Sequence, residues 1–246
     1  MAWALDLDGV IWLGDDPIPG SAEAVSRLRE AGEDVVFCTN NSSRTVDEVE
    51  VKLARHGIPA KGDVVTSAIA AASLVQAGER VLVCGGPGVV EAIERRGAEP
   101  VREGPADAVM VGLHLDFDYA SLRRASDAVR AGARFIATND DATYPTPRGL
   151  IPGGGAIVAA VAVASGVTPV VAGKPHAPMA RLIRARLGPT GTMVGDRLET
   201  DGRFAAALGY RFALVLTGVV ASASGAQPTP DVVAPDLLTL VRDALA

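Results

Sequence analysis

Short apolar runs alternate along the chain with stretches in which apolar residues recur every three or four positions. AWALDLD is followed by SAEAVSRLREAG, then EDVVFCTN, then RTVDEVEVKLARHG. The first and third read as strands and the second and fourth as helices, the rhythm of a parallel sheet with helices on its faces. Gly32 and Gly57 fall where each helical pattern ends, as a left-handed cap requires. DVVTS and RVLVCG continue the strands, with a helix carrying Ala70 to Gln76 between them. From about residue 79 a second set of units appears: RVLVCGG, GVVEAIERRG, AVMVGL, DYASLRRASDAVRAG and ARFIATN. A Gly/Pro-rich passage, TYPTPRGLIPGGG, leads to the apolar helix AIVAAVAVASG. The strand and helix beat then resumes through VVAGKPHAPMARLIRARLG, TMVGDRLETDGRFAAALG and YRFALVLTG. ASASGAQPTPD reads as a flexible loop before a last helix, DLLTLVRDALA.

The fold class expected is α/β, a Rossmann-like doubly wound parallel sheet with a second α/β domain inserted. Composition supports a packed chain. Of 246 residues, 48% are hydrophobic and 21% charged, which excludes disorder. A net charge of -6 with no clustered Lys or Arg argues against nucleic acid as partner. Cys38 and Cys84 each close an apolar run, the usual place of a buried reduced thiol, so neither a disulfide framework nor a zinc site is expected. No signal-type segment opens the chain, and no apolar run nears the ~20 residues that span a bilayer, so the expected location is cytoplasmic.

Candidate chemistry lies at the carboxyl ends of the strands, where open parallel sheets collect ligands. Asp6-Leu7-Asp8-Gly9 places two acids where continued alternation would crowd them on one side, a repulsion that a cation or proton relieves. The plainer reading is a strand fraying into a solvated turn. Thr39-Asn40-Asn41-Ser42 offers a hydroxyl and amides to an anion, or simply a helix cap. Lys174 stands before Pro175 near a helix start, unfavourable to the helix dipole unless an anion is near; otherwise its head lies in water. Asp196 and Asp201, in GDRLETD, add oxygen ligands suited to a hard cation such as Mg2+.

DLDGV, CTNNS, GKP and GDRLETD, in this order, resemble the four motifs of the haloacid dehalogenase superfamily of phosphatases. PIPGSAEAVSRLREAG, ATNDDATYPTPRGLIPGGGAIVAAV and LVLTGV make the chain similar to the NagD-like, p-nitrophenylphosphatase-like branch, over essentially its full length. The resemblance implies a catalytic core from 1–78 and 172–246 and an inserted α/β cap over 79–171. It implies Mg2+-dependent hydrolysis of small phosphate monoesters through an aspartyl-phosphate. Glycerol 3-phosphate, phosphoglycolate, a nucleoside monophosphate and p-nitrophenyl phosphate are the candidate substrates. Asp6 would be the nucleophile, and Asp8 the general acid and then the general base. Thr39, Asn40, Lys174 and Gly9 would bind the phosphate. Mg2+ would be held by Asp6, the Asp8 main-chain carbonyl and Asp196, with Asp201 steadying a metal-bound water. Asn139, Asp141 and Gly154 lie in the part of the cap that resembles the family's substrate-facing region. A homodimer through the cap, and no membrane partner, complete the expectation.

Other readings on the same fold are a phosphometabolite-binding or regulatory protein with little turnover, and a phosphomutase. A receiver-type phosphoacceptor fails on motif order. GGPGVV does not match G-x-G-x-x-G, so no dinucleotide site is expected. His56, His114 and His176 lack metal-ligand spacing, Glu199 reads as a surface carboxylate, and Trp3 and Trp12 read as packing. After Asp201 the family pattern leads to expect an apolar residue continuing the helix, whereas this chain has Gly202-Arg203.

Overall fold

The unbroken apolar runs at the sheet centres become buried strands, and the periodic stretches become helices. The structure, a computed structural model, describes residues 1–146, 149–219, 222 and 227–246. Residues 147–148 of the Gly/Pro-rich passage, residue 220, and residues 221 and 223–226 of the Ser/Pro/Ala tail thus lie outside the described residues.

One compact unit comprises Met1–Thr39, Val49–Val65 and Lys174–Ala246. Its six-stranded sheet runs, in spatial order, Val232–Ala234, Arg211–Val215, Thr192–Gly195, Ala2–Leu5, Asp34–Thr39 and Val64–Thr66. The first five pair in parallel. Ala2–Leu5 is buried along its whole length, which is why it reads AWAL without polar interruption. The chain leaves it in one direction toward Asp34–Thr39 and later fills in the other side through Thr192–Gly195. The order therefore reverses beside the first strand, the switch point at which such sheets open a crevice. Helices Ser21–Glu30 and Ala177–Leu187 pack on Asp34–Thr39 and are joined by Leu237–Leu245 and Arg203–Leu208 respectively. Fully buried Leu5, Leu28, Phe37, Leu53 and Phe204 fill the space between, each contributing about 1.5–3 kcal/mol of transfer free energy.

The other unit comprises Asn40–Glu48 and Thr66–Gly173. Its five strands, Val170–Val171, Arg134–Ala137, Ala108–Val111, Arg80–Cys84 and Glu99–Val101, are all parallel. Helices Tyr119–Arg130 and Gly154–Ser165 pack together over one core that includes Val109, Val129, Phe135 and Val161. Residues 40–48 and 66–78, assigned by resemblance to the core segment 1–78, pack within this unit. The Gly/Pro-rich passage holds an antiparallel pair, Thr143–Thr146 with Gly149–Pro152, in which Pro145 faces Leu150. Its prolines erase the strand signal, because they belong only at the outer edges of ladders.

Gly202, out of place in a regular helix, has a packing reason. Residues Leu198–Gly202 form a π-helical turn, and a Cβ on Gly202 would stand 2.6 Å from Pro228 and 3.0 Å from Phe212. The wider turn and the missing side chain let the segment lie against both.

Candidate active site

The first strand stops at Leu5, so alternation never reaches the two acids. Leu7 N–H donates to Asp6 Oδ1 at 2.8 Å, and Leu7 O accepts from the amides of Val10, Ile11 and Trp12. Gly9, at φ +84°, makes that turn without strain. The two carboxylates diverge: Asp6 lies 2.8 Å from Lys174 Nζ, whereas Asp8 Oδ1 accepts from the Trp12 indole at 3.1 Å.

Asp6, Asp196 and Asp201 come from the ends of two adjacent strands and the turn that follows the second. Their carboxylates bring one oxygen each to within 4.8 Å of one another, and all three residues are buried. Lys174 enters from the next segment, 1% exposed, and its ammonium reaches Asp201 at 2.7 Å as well as Asp6. The alternative of a lysine head in water is thus overturned. The compensating anions expected near its helix start are Asp6 and Asp201.

Three carboxylates against one ammonium leave a formal charge of -2 in a buried site. Burial raises the Asp6 carboxyl well above the usual range, Asp201 and Asp196 add to it, and Lys174 opposes it. Burial, with Asp201 beside it, pushes Asp196 up to about 6. Lys174 is held above the usual lysine range because Asp201 and Asp6 outweigh the desolvation that would lower it. Cys38 behind the site is a buried thiol pushed up to about 12, unreactive by that measure.

A divalent cation fits this donor set. The three acids are hard oxygen ligands carrying excess negative charge, and among the described residues Asp196 Oδ1 is buried with no hydrogen-bond partner. Asp196 Oδ2 accepts from Val219 N at 2.7 Å, which leaves Oδ1 for the cation. The cradle is closed by glycines: a Cβ on Gly9 would stand 2.4 Å from Asp196 Oδ2 and one on Gly218 2.0 Å from it. Thr217 Oγ1 donates to Gly9 O at 2.6 Å, tying the late loop to the first turn.

Residues 3–99 match the family model described as haloacid dehalogenase-like hydrolase, and residues 171–240 match a second, HAD-hydrolase-like model. The chain is 40% identical over 252 residues to the D-glycerol 3-phosphate phosphatase of Mycobacterium tuberculosis, covering 98% of this chain and 70% of that protein. The chain belongs to the haloacid dehalogenase-like hydrolases. A crystal structure of glycerol phosphate phosphatase from the same organism in complex with magnesium superposes with a TM-score of 0.88 at 39% identity, over 97% of this chain and 75% of that one. The p-nitrophenyl phosphatase from Archaeoglobus fulgidus gives a TM-score of 0.91 at 30% identity, over 98% of each chain. Within the haloacid dehalogenase-like hydrolases this chain is a phosphatase of the NagD and p-nitrophenylphosphatase branch, with a site for a divalent metal.

Among the residues expected to act in this phosphatase, Asp6, Asp196, Asp201 and Lys174 converge. Thr39 ends the strand beside the first one and is buried. Asp201 shares the cluster with Asp6 and Asp196, its Oδ1 accepting from Lys174 Nζ at 2.7 Å and its Oδ2 from Arg197 N at 3.1 Å. In the other unit, Asn139, Asp141 and Asn40 form one cluster. Asn139 Nδ2 donates to Asn40 O at 2.7 Å, Asn40 Nδ2 to Asp141 Oδ2 at 3.0 Å, and Asp141 N to Asn139 Oδ1 at 3.2 Å. Gly154 lies against it, since a Cβ there would be 2.9 Å from Asn139 Oδ1.

Gly218 has no signal in the sequence, because nothing in LTGV says that the glycine faces Asp196, an acid from the end of strand Thr192–Gly195. Gly218→Ala is expected to cost roughly 1–3 kcal/mol by overpacking. It should also raise the metal concentration needed for half-maximal activity. Thermal unfolding and a metal titration that both match the unaltered protein would remove Gly218 from the cradle.

Proposed function

We propose that this phosphatase hydrolyses small phosphate monoesters, glycerol 3-phosphate foremost, through a phosphoryl-enzyme formed on Asp6. The observation that carries the reading is the divergence of two carboxylates from one strand end. Asp6 is held by Lys174 and the Leu7 amide, and Asp8 is turned away to Trp12.

Asp6 attacks phosphorus in line, and the ester oxygen leaves as the P–O bond breaks. Asp8 gives its proton to that oxygen, and then takes one from the water that hydrolyses the acyl-phosphate. Burial raises the Asp8 carboxyl, which favours the protonated form needed first. Thr39, Lys174 and the backbone amides near Gly9 and Asn40 orient the phosphoryl oxygens, so most of the acceleration is positioning and electrostatics. Mg2+ is the cation we assign, held by Asp6 and Asp196 with the Asp8 carbonyl and with Asp201 beside it; when bound, it neutralises charge gathering at the phosphate. We assign the choice of leaving group to residues 79–171, read as the inserted cap. The match to a D-glycerol 3-phosphate phosphatase supports a small polyol ester.

A phosphate-release screen over small esters tests this. Glycerol 3-phosphate and p-nitrophenyl phosphate should be hydrolysed with Mg2+, and EDTA should abolish both activities. Binding of esters with no phosphate released from any of them would favour a binding module instead. Isomerisation of a sugar phosphate without net release would favour a mutase.

A further inference from the structure

Trp12 reads in the sequence as packing, and it is indeed 4% exposed. Its surroundings are more specific than packing requires. Its indole N–H donates to Asp8 Oδ1 at 3.1 Å, and among the described residues that is the one hydrogen bond to the Asp8 carboxylate. The Trp12 backbone is fixed to the same turn, with its N–H on Leu7 O and its carbonyl accepting from Gly9 N at 2.8 Å. Lys52 Nζ lies 4.2 Å from the ring centroid, a cation over an aromatic face. The same ammonium also bonds Gly14 O, and it lies 3.3 Å from Asp15, so the antiparallel pair Trp12–Leu13 with Asp16–Pro17 is pinned to helix Val46–Arg55. His56, the residue just after that helix, packs its ring against the indole at a centroid distance of 6.0 Å.

We propose that Trp12 is a positioning residue for Asp8. Its N–H occupies Oδ1 and leaves Oδ2 to meet the leaving oxygen, while Lys52 holds the indole plane in place. The inference rests on the reading of Asp8 as proton donor, and it adds a requirement of its own. An alkoxide must receive the Asp8 proton as the P–O bond breaks, whereas p-nitrophenolate is a stable anion and leaves without one. Loss of orientation at Asp8 therefore harms alkyl esters selectively. The ratio kcat/KM isolates this step, because hydrolysis of the phosphoryl-enzyme is common to both substrates and follows it.

Trp12→Phe keeps the ring and removes the N–H. With it, kcat/KM for glycerol 3-phosphate should fall about 10- to 100-fold, and that for p-nitrophenyl phosphate by less than about threefold. Lys52→Met should shift the ratio in the same direction by about three- to tenfold, the scale of one cation–π contact, and it decides the question if Trp12→Phe does not fold. Asp8→Asn, measured beside them, should be more selective still. If Asp8→Asn depresses both substrates equally, the proton-donor reading falls and the positioning role with it. If Asp8→Asn is selective while Trp12→Phe and Lys52→Met lower both esters alike or neither, the reading of Asp8 stands and the role of Trp12 is overturned.

Discussion

Asp6→Asn is expected to abolish phosphate release, by a factor on the order of 10⁴ or more, while leaving the protein folded. The amide keeps an oxygen for the Leu7 N–H that now donates to Asp6 Oδ1 at 2.8 Å, so the turn that presents the residue survives. What disappears is the anionic oxygen that bonds to phosphorus, and a loss of that size corresponds to about 5 kcal/mol of barrier. Stability provides the control. Burial and the neighbouring acids hold the Asp6 carboxyl well above its usual range. A carboxyl raised on folding favours the native state at low pH, and that contribution is lost as pH rises through the raised value. Asparagine carries no such penalty. In EDTA the variant should therefore match or exceed the parent in Tm at neutral pH, with the advantage fading toward pH 4. Phosphate release that survives in Asp6→Asn would remove Asp6 as nucleophile. A large drop in Tm at neutral pH would mean that its carboxylate is a structural partner of Lys174 before it is a reactant.

Much of this site could be read before any coordinates, because its chemistry sits at ends of elements that hydrophobic periodicity announces. AWAL, DVVFCT and TMVG each lead to a residue with a polar task, and parallel pairing carries those ends to one edge. What the pattern could not give was direction. The pair Asp6 and Asp8 looks like two acids on one side only while the strand is taken to continue; a turn closed by three amides on Leu7 O sends them apart. Spacing along GDRLETD does not show that the π-helical turn Leu198–Gly202 sets the Asp201 carboxylate beside Lys174 and the other two acids. The contacts of Trp12 and Gly218 are invisible for the same reason, since each depends on how the chain folds back onto an acid, Asp8 and Asp196 respectively. The hairpin Thr143–Thr146 with Gly149–Pro152 was lost to its prolines, which suppress strand propensity without preventing an isolated two-stranded ribbon.

Lys174→Met is the substitution from which the largest loss of stability is expected. The ammonium is buried between Asp6 at 2.8 Å and Asp201 at 2.7 Å, and methionine fills a similar volume without charge. Removing one partner of a buried ion pair leaves the other uncompensated, which costs about 3–5 kcal/mol. For a chain of this length that is roughly 10 °C in Tm. Here the remainder is a cluster of three acids, so the defect should depend on pH in a definite sense. Without the ammonium, Asp6 is held higher still on folding, and Asp196 already sits at about 6. Groups raised on folding stabilise the protein below their unfolded values and cease to do so as pH rises through the folded ones. In EDTA the gap between variant and parent should thus be small near pH 4 and widen through pH 6 to 8. Adding Asp201→Asn should recover part of it, because one of the two stranded carboxylates is gone and the pair is close enough to couple. Equal losses at pH 4 and pH 8, with no recovery in the double variant, would show that Lys174 is held there by shape, and the charge argument for the whole site would have to be given up.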